Sequence, residues 1–363
     1  MVFFAMLPDA AAQGDGFGVE FEWDIPLLEG YRYQVLENAS RRPGVTHFSG
    51  CDTPGIQAEL KSLNPDAVIV NGWVVKTCLQ ALWACKRLQI PCLVRGEAND
   101  LSERPAWKRI LQRILVKQYD ACLYIGQASK AFYEARGIAS NRLFPAHYCI
   151  ESQRFERAAQ ALQKDRLRLR NNWNIPGDST CFIYCGKFEP KKHPVELIES
   201  FRAANELQSN LHLLMVGDGE LRQRCEEEAS KRQLPVTFTG FLNQSEIISA
   251  YVAADCLVLC SDAGETWGLV VNEAMACSRP ALVSDLAGCH SDLIKAGTTG
   301  DVFSFGDWDE LARRMADLGA NRANLAAMGE LARKRVELYS PEAAAQGMLD
   351  SVISTLQDRD PGT

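Results

Sequence analysis

The chain has 363 residues, of which 47% are hydrophobic and 23% charged, with a formal net charge of -7. This composition is that of a globular protein long enough for two or three domains, and the acidic balance argues against a nucleic-acid-binding protein. The apolar stretches are shorter than the about 18 residues that a membrane-spanning helix needs, and the apolar N-terminus is too short and uncharged for a signal peptide. We therefore expect a cytoplasmic protein.

In the first half of the chain, short apolar runs alternate with helical patterns, a rhythm typical of βαβ units and a parallel sheet. The predicted strands are Val2–Leu7, Ala67–Asn71, Pro91–Val94 and Ala121–Ile125. The predicted helices are Ile56–Leu63, Val75–Leu88, Pro105–Tyr119 and Ser129–Ala135. A long loop follows the first strand, so this half looks one strand and one helix short of a doubly wound domain. We expect a truncated chain start, and an abbreviated first domain is the alternative.

The predicted helix over 105–119 is amphipathic. Its apolar residues recur at helical spacing and form one stripe, made of Trp107, Ile110, Leu111, Ile114 and Leu115. Four cations lie on its other faces: Lys108, Arg109, Arg113 and Lys117. We expect a packed helix with solvated cations. Peripheral contact with the inner face of an anionic membrane is the alternative.

The second half predicts one complete doubly wound domain, because six strands alternate with helices. The predicted strands are Thr180–Cys185, His212–Val216, Val236–Gly240, Cys256–Cys260, Pro280–Ser284 and Asp301–Ser304. We therefore divide the chain into a first Rossmann-like domain, a polar linker, a second Rossmann-like domain and a closing helix. The bounds are 1–155, 156–176, 177–339 and 340–363.

The strongest chemical motif is Glu265-Thr-Trp-Gly-Leu-Val-Val-Asn-Glu273, which follows a predicted strand and opens a helix near Gly268. Ligands of open α/β sheets bind outside the carboxyl ends of the strands, and a helix N-terminus attracts an anion such as a diphosphate. An ionised carboxylate can accept hydrogen bonds from two sugar hydroxyls. The alternative is a surface glutamate followed by an early-helix glutamate that favours the helix dipole.

Two further motifs follow predicted strands of the second domain. Gly186 permits a turn, and the cations of Lys187 and Lys192 can neutralise a diphosphate leaving group. Gly217 and Gly219 form a glycine turn that is a weak phosphate cradle by itself. A solvated basic loop and an ordinary strand-to-helix turn are the alternatives. The carboxyl ends of parallel strands share one edge of the sheet, which makes a common site more credible than any single motif.

This second domain resembles the retaining glycosyltransferases of family four, also called glycosyltransferase group 1, which have the GT-B fold. The residues that carry the resemblance over about 180–300 are Gly186, Lys187, Lys192, Gly217, Gly219, Glu265, Trp267, Gly268, Glu273, Ala274, Met275, Ala276 and Pro280. The resemblance implies two Rossmann-like domains that face a cleft, with the acceptor on the first and the nucleotide-sugar donor, of UDP or GDP type, on the second.

The resemblance also implies residue roles. Lys187 and Lys192 would hold the donor diphosphate, Glu265 and the backbone at Trp267–Gly268 the transferred sugar, and Glu273 the ribose hydroxyls. The amides at Gly268–Leu269 would face the phosphates. Transfer would proceed with retention, without a metal, a cofactor or a covalent intermediate.

Three departures from the family pattern are visible. Lys187 stands where arginine is usual, so a bidentate clamp becomes a point charge. His193 and Ser278 stand where glycines are usual. After Pro91–Val94 the family often has a histidine, whereas this chain has Arg95 and Glu97 as candidates for acceptor contact or proton handling. A salt-bridged loop is the alternative there, and His47 and His147 are further acid-base candidates.

We therefore expect an enzyme that transfers a hexosyl group to a sugar or lipid-linked sugar acceptor, in surface polysaccharide or glycolipid synthesis. A nucleotide-sugar epimerase on the same architecture is one alternative, and a non-catalytic glycosyltransferase-like partner protein is another. A dehydrogenase is disfavoured, since no G-x-G-x-x-G motif follows a strand and opens a helix.

Overall fold

A computed structural model describes residues 1–359 and shows an α/β protein with two compact units. The strands are β1 (Val2–Phe4), β2 (Tyr33–Val35), β3 (Val68–Asn71), β4 (Cys92–Gly96), β5 (Ala121–Tyr124), β6 (Leu143–Pro145), β7 (Thr180–Cys185), β8 (Leu211–Val216), β9 (Val236–Gly240), β10 (Cys256–Leu259), β11 (Ala281–Ser284) and β12 (Gly300–Phe303). The helices are α1 (Ala10–Gly14), α2 (Ile56–Leu63), α3 (Lys76–Leu88), α4 (Ala106–Val116), α5 (Gln127–Ala135), α6 (Ser152–Leu162), α7 (Arg166–Asn172), α8 (Pro194–Leu207), α9 (Arg222–Lys231), α10 (Ile247–Ala253), α11 (Leu269–Ala276), α12 (His290–Leu293), α13 (Trp308–Gly319), α14 (Arg322–Val336) and α15 (Pro341–Arg359).

Unit 2, comprising 9–25 and 148–341, holds a six-stranded parallel sheet in the order β12-β11-β10-β7-β8-β9. Every residue of β7, β8, β10 and β11 is buried, which explains why their sequences are mostly apolar and do not alternate. All six predicted strands are confirmed, each to within one residue at either end. The strand order reverses between β7 and β10, and this reversal places the ligand crevice of such sheets at their carboxyl ends.

Unit 1, comprising 1–8, 26–147 and 342–359 of the described residues, holds the parallel sheet β3-β4-β5-β6 and a separate parallel pair β1-β2. The predicted strands of this half are present, although the first is confined to Val2–Phe4. Strands β2 and β6 escaped prediction because three residues carry no readable period. Helix α15 packs Met348 and Val352 against Leu93 and Leu123 of this sheet.

The predicted fold class, two Rossmann-like α/β domains of the GT-B type, is confirmed by these parallel sheets and by the structural comparisons below. The cleft between them and the truncated chain start stay predictions. No helix within residues 1–359 is long and apolar enough to cross a bilayer. The cytoplasmic location also stays a prediction.

The stretch predicted as a linker, 156–176, differs from that expectation because it forms most of α6 and α7 and belongs to unit 2. Two of its arginines are held by an acidic partner. Arg166 and Arg170 both bind the carboxylate of Asp255, at 2.7 and 3.2 Å, and Arg170 is only 1% exposed. The division between the units therefore falls at 147/148, where the sequence suggested 155/156. Asp255 lies over 80 residues further along the chain, so no local sequence pattern could predict these ion pairs.

The segment 9–25 likewise packs with unit 2, although the sequence assigned it to the first domain. The rings of Phe17 and Phe21 lie against Phe241, with centroids 5.1 and 4.2 Å away. The Asn243 side chain donates a hydrogen bond to the Glu22 carbonyl at 2.7 Å. Aromatic packing thus ties this segment to the loop that follows β9.

The end of α11 explains one departure from the family pattern. Ser278 has a φ of 57°, the left-handed conformation in which glycine costs least. Its amide donates to the Met275 carbonyl at 3.0 Å, and the Arg279 amide donates to the Ala274 carbonyl at 2.9 Å. These two bonds form a Schellman motif, which normally ends on glycine.

Replacing Ser278 by glycine is therefore expected to raise the free energy of unfolding by about 1 kcal/mol, because the left-handed strain of the serine is removed. Urea unfolding of both forms measures the difference. Ser230→Gly, in the exposed part of α9, is the control, and its free energy of unfolding should be lower than that of the wild type by about 0.5 kcal/mol. A loss of stability in both variants would contradict the argument.

The structure contradicts the expectation that the predicted helix over 105–119 packs its apolar stripe. Four of the five stripe residues are exposed, and only Leu115 contacts the core of unit 1. The helix itself, α4, is confirmed over Ala106–Val116. The periodicity therefore identified an apolar face without showing what covers it.

Candidate functional site

The loops after β7 and β10 flank the point where the strand order reverses, and they bring two predicted site residues together. The Lys192 ammonium forms an ion pair with the Glu265 carboxylate. Both side chains are 15% exposed, so the pair is partly withdrawn from water without being sealed off. The Ser261 hydroxyl also donates to Glu265, at 3.4 Å. A cation and an acceptor group thus lie side by side at the edge where a ligand would bind.

The loops after β7 and β8 pack backbone to backbone. The Gly186 amide donates to the Val216 carbonyl at 3.0 Å. A Cβ on Gly217 would lie 2.0 Å from the Gly186 carbonyl oxygen, so no other residue fits there. The two loops can pack this closely only with glycine at position 217, whether or not a phosphate binds there.

Lys187 has a different partner from Lys192. Its ammonium donates a hydrogen bond to the Asp15 carbonyl and lies 5.2 Å from the centre of the Phe17 ring. Its own carbonyl accepts from the Tyr184 hydroxyl at 2.7 Å, which fixes the loop. The predicted phosphate-binding lysine is therefore held by the segment 9–25, a partner that the sequence gave no signal for.

The N-terminus of α11 begins at Leu269, directly after Gly268. Gly268 has a φ of 105°, and a Cβ there would lie 2.8 Å from a Leu259 methyl group. Only glycine suits both the backbone angle and the space. The first amides of a helix have no partner within the helix and can bind an anion. The structure thus supplies the helix start that the motif predicts beside Glu265.

Trp267 is a packing residue by its side chain. It is 2% exposed, and its indole N–H donates to the side-chain Oδ1 of Asn272 at 2.8 Å. The Cys289 amide donates to the Trp267 carbonyl at 3.1 Å. Only the backbone at Trp267–Gly268 is therefore a candidate for sugar contact, as the resemblance implied.

Glu273 is buried in the second turn of α11, with 8% of its surface exposed. Its carboxylate accepts from the Tyr251 hydroxyl at 2.7 Å and from the Gln244 amide at 3.4 Å. Arg154 in turn donates to Gln244 at 2.7 Å. Burial raises the pKa of Glu273, although these two hydrogen bonds act against the rise. The sequence located Glu273 but missed its supports, because they come from α10, the β9 loop and α6.

The remaining candidates lie in unit 1. Glu97 follows β4 directly and is exposed, as a residue that meets an acceptor would be. Arg95 donates to the Ala146 carbonyl at 3.2 Å, which gives it a structural partner. His147 directly follows Ala146 in the chain, and its Nδ1 lies 3.3 Å from the Ile125 carbonyl oxygen. The roles of Glu97 and His147 stay predictions.

No metal site is apparent in the part of the chain that the structure describes, where no three side chains of His, Cys, Asp or Glu cluster suitably. The thirteen cysteines are all free, and twelve are buried. Burial raises the pKa of Cys181 to about 12, as expected for an unreactive core thiol.

The second half of the chain is similar to known glycosyl transferases. Residues 165–335 match the family model of the glycosyl transferases group 1. A GDP-mannose-dependent alpha-(1-6)-phosphatidylinositol dimannoside mannosyltransferase of Mycobacterium tuberculosis is 32% identical over 117 residues, which are 32% of this chain and 30% of that protein. The sulfoquinovosyl transferase SQD2 of Arabidopsis thaliana is 26% identical over 80% of this chain and 57% of its own length.

Solved structures show the same fold. The crystal structure of Anabaena HepE in complex with UDP and glucose superposes with a TM-score of 0.69, at 17% identity, over 89% of this chain and 86% of that one. The chain spans less than two thirds of the two curated relatives named above. The segment that matches the glycosyl transferases group 1 model, residues 165–335, contains every candidate site residue of unit 2.

Proposed function

We propose that this protein transfers a hexosyl group, with retention, from a nucleotide-sugar to a sugar or lipid-linked acceptor in surface polysaccharide or glycolipid synthesis. The observation that carries the proposal is the Lys192–Glu265 pair beside the N-terminus of α11, at the carboxyl edge of the sheet. This edge is where ligands of open α/β sheets bind. The named relatives, which transfer mannosyl and sulfoquinovosyl groups, support the same reaction class.

Each half of the pair has a task in such a reaction. A diphosphate that approaches Lys192 competes with Glu265 for the ammonium. The ammonium then stabilises the negative charge that develops on the diphosphate as its bond to the sugar breaks. Glu265, released from the lysine, can then accept hydrogen bonds from hydroxyls of the transferred sugar. The amides of Gly268 and Leu269 add neutral donors for the phosphates. No metal is needed for this charge balance, and the donor base stays open between UDP and GDP types.

Glu273 is proposed to bind the ribose. A ribose diol has two donors, and a carboxylate with several lone pairs can accept them beside the Tyr251 hydroxyl. The hydrogen bonds from the diol favour the ionised carboxylate and so oppose the effect of burial on the pKa of Glu273.

Thermal stabilisation by UDP, GDP, ADP, dTDP and CMP tests the donor site, since a ligand that binds only the folded protein raises the melting midpoint. We expect one nucleotide to stabilise the wild type and to stabilise Glu273→Gln much less. Tyr251→Phe is the matched control, because it removes a bond to Glu273 without removing the ribose acceptor. Equal nucleotide shifts in all three proteins would assign Glu273 a structural role, and no shift in the wild type would favour the non-catalytic alternative. Turnover of donor without acceptor would favour the epimerase.

The segment 9–25 is expected to oppose nucleotide binding, because the Asp15 carbonyl occupies the Lys187 ammonium. Replacing Phe21 by alanine removes the ring that lies against Phe241 and should loosen the segment. Since affinity is reduced by the fraction of protein in a competent state, we expect a roughly threefold to tenfold lower Kd for the nucleotide. Calorimetric titration measures it.

Tyr31→Ala is the control for this variant, since that aromatic residue is exposed and belongs to unit 1. It should leave the nucleotide Kd unchanged. A weaker affinity in Phe21→Ala would mean that the segment forms part of the donor site.

A further inference from the structure

Helix α4 presents an apolar face that nothing in the described chain covers. Trp107, Ile110, Leu111 and Ile114 are 59%, 59%, 56% and 57% exposed. Their spacing of three, four and seven residues places them on one side of the helix. Scattered exposed apolar side chains are ordinary, whereas four on one continuous stripe indicate an interaction surface.

Other residues of α4, including the fifth stripe residue Leu115, attach the helix firmly to unit 1. Val116 is fully buried in the core, and Leu115 packs against it. The Gln112 carbonyl oxygen accepts a hydrogen bond of 2.8 Å from Arg136, which is itself 2% exposed. The four exposed stripe residues are therefore held facing outward by contacts that other residues of the same helix make.

The flanks of the stripe are cationic. Arg109, Arg113 and Lys117 recur every four residues along one flank, and all are exposed. Lys108 lies on the other flank, with its ammonium 5.4 Å from the centre of the Trp107 ring. Residues 106–117 contain four cations and no acidic residue, although the whole chain has a net charge of -7. The positive charge is thus concentrated where the apolar face is exposed.

We propose that α4 is an interfacial helix that docks this protein on the surface of an anionic lipid bilayer. The stripe enters the boundary between headgroups and acyl chains, while the flanking cations stay level with the lipid phosphates. Each cation near such a surface adds attraction, and an indole ring suits the same depth.

The charges select this occupant over a second copy of the chain. Two copies joined stripe to stripe would bring eight cations together, and like charges at an interface oppose association. The stripe is also small, since a standard protein interface involves about 20–30 residues a side. An anionic bilayer satisfies both the apolar face and the cations.

Vesicle flotation with the full chain tests the proposal. We expect the protein to float with vesicles of phosphatidylcholine and phosphatidylglycerol, to bind pure phosphatidylcholine more weakly, and to be released by salt. The double variant Ile110→Gln, Ile114→Gln should lower the partition coefficient at least about tenfold, because two apolar side chains leave the boundary. Leu167→Gln, an equally exposed leucine of unit 2, is the control and should bind as the wild type does.

Charge variants separate the two contributions. Arg109→Gln and Arg113→Gln should each weaken binding to the anionic vesicles about fivefold and leave binding to the neutral vesicles unchanged. Arg168→Gln, whose side chain is 66% exposed in unit 2, is the matched control. All variants replace exposed residues, and unchanged melting midpoints confirm that they fold.

The proposal is overturned if the wild type fails to float with anionic vesicles, or if the isoleucine variant floats as the wild type does. Self-association in sedimentation experiments without lipid, abolished by the isoleucine variant, would assign the stripe to a second copy instead. The nucleotide shifts described above do not depend on lipid, so this proposal and the proposed function can fail separately.

Discussion

Replacing Lys192 by alanine is expected to lower the kcat of glycosyl transfer on the order of a hundredfold to a thousandfold, because a preorganised cation is lost where charge develops on the leaving diphosphate. The Glu265 carboxylate then also loses its ion-pair partner at a site with 15% exposure. The KM for the donor should change less than kcat if the cation acts mainly on the transition state. Release of the nucleoside diphosphate measures the rate, with the donor that the nucleotide experiment identifies.

Lys191 offers a matched control in the adjacent position. Its side chain is 49% exposed and pairs with Glu189 at 3.2 Å, whereas the Lys192 side chain pairs with Glu265. Exposed pairs contribute little, so Lys191→Ala should keep kcat within about twofold. Glu265→Gln retains the shape of the side chain, and its kcat should fall as far as that of Lys192→Ala. Equal losses for Lys191→Ala and Lys192→Ala would show that the pair is not at the reacting atoms.

Replacing Asp255 by alanine is expected to lower the free energy of unfolding of unit 2 by about 3–5 kcal/mol, the usual cost of breaking a buried ion pair on one side. Asp255 is 9% exposed and accepts from Arg166, Arg170 and, at 3.4 Å, Arg322. Without it, the buried Arg170 guanidinium loses its counter-ion. Urea unfolding measures the loss. Glu206→Ala, which breaks an exposed pair on α8, is the control and should cost less than about 0.5 kcal/mol.

The pH dependence of the Asp255 effect has a definite sign. Burial by itself would raise the pKa of Asp255, but the charges of Arg166 and Arg322 and the Cys181 amide outweigh burial and hold the pKa below its ordinary value. The stabilisation is therefore present above the unfolded pKa of about 3.9 and is lost as the pH falls through the folded pKa. We expect the difference in the free energy of unfolding between wild type and Asp255→Asn to have its full size at about pH 7 and to shrink below about pH 4. A difference independent of pH would contradict an ionised Asp255.

The candidate site was readable from the sequence where local chemistry determines structure. Strands such as β7 and β8 are nearly continuous apolar runs bounded by turn residues, because both faces of a parallel sheet are covered. The motif from Glu265 to Glu273 predicted a loop, a glycine and a helix start in that order, and the structure has them. Helix α2 was predicted near Ile56–Leu63, between two predicted strands, and the structure has it there.

The sequence left open how the site residues are supported. Glu273 depends on Tyr251, Gln244 and Arg154, which are 22 to 119 residues away along the chain. Lys187 is held by Asp15, 172 residues distant. Such contacts leave no period in the sequence, because each side chain looks like a solvated polar residue until the fold brings its partner to it.

What the sequence by itself determined is the set of strands in unit 2, the order of the chemical groups at their carboxyl ends, and the existence of an apolar stripe over 107–114. Only the tertiary structure decided that the segment 9–25 packs with unit 2, that Arg166 and Arg170 are held by Asp255, and that four of the five stripe residues are exposed. The reason is physical: periodicity records which side chains share a face, whereas burial and charge pairing depend on what the rest of the chain places against that face.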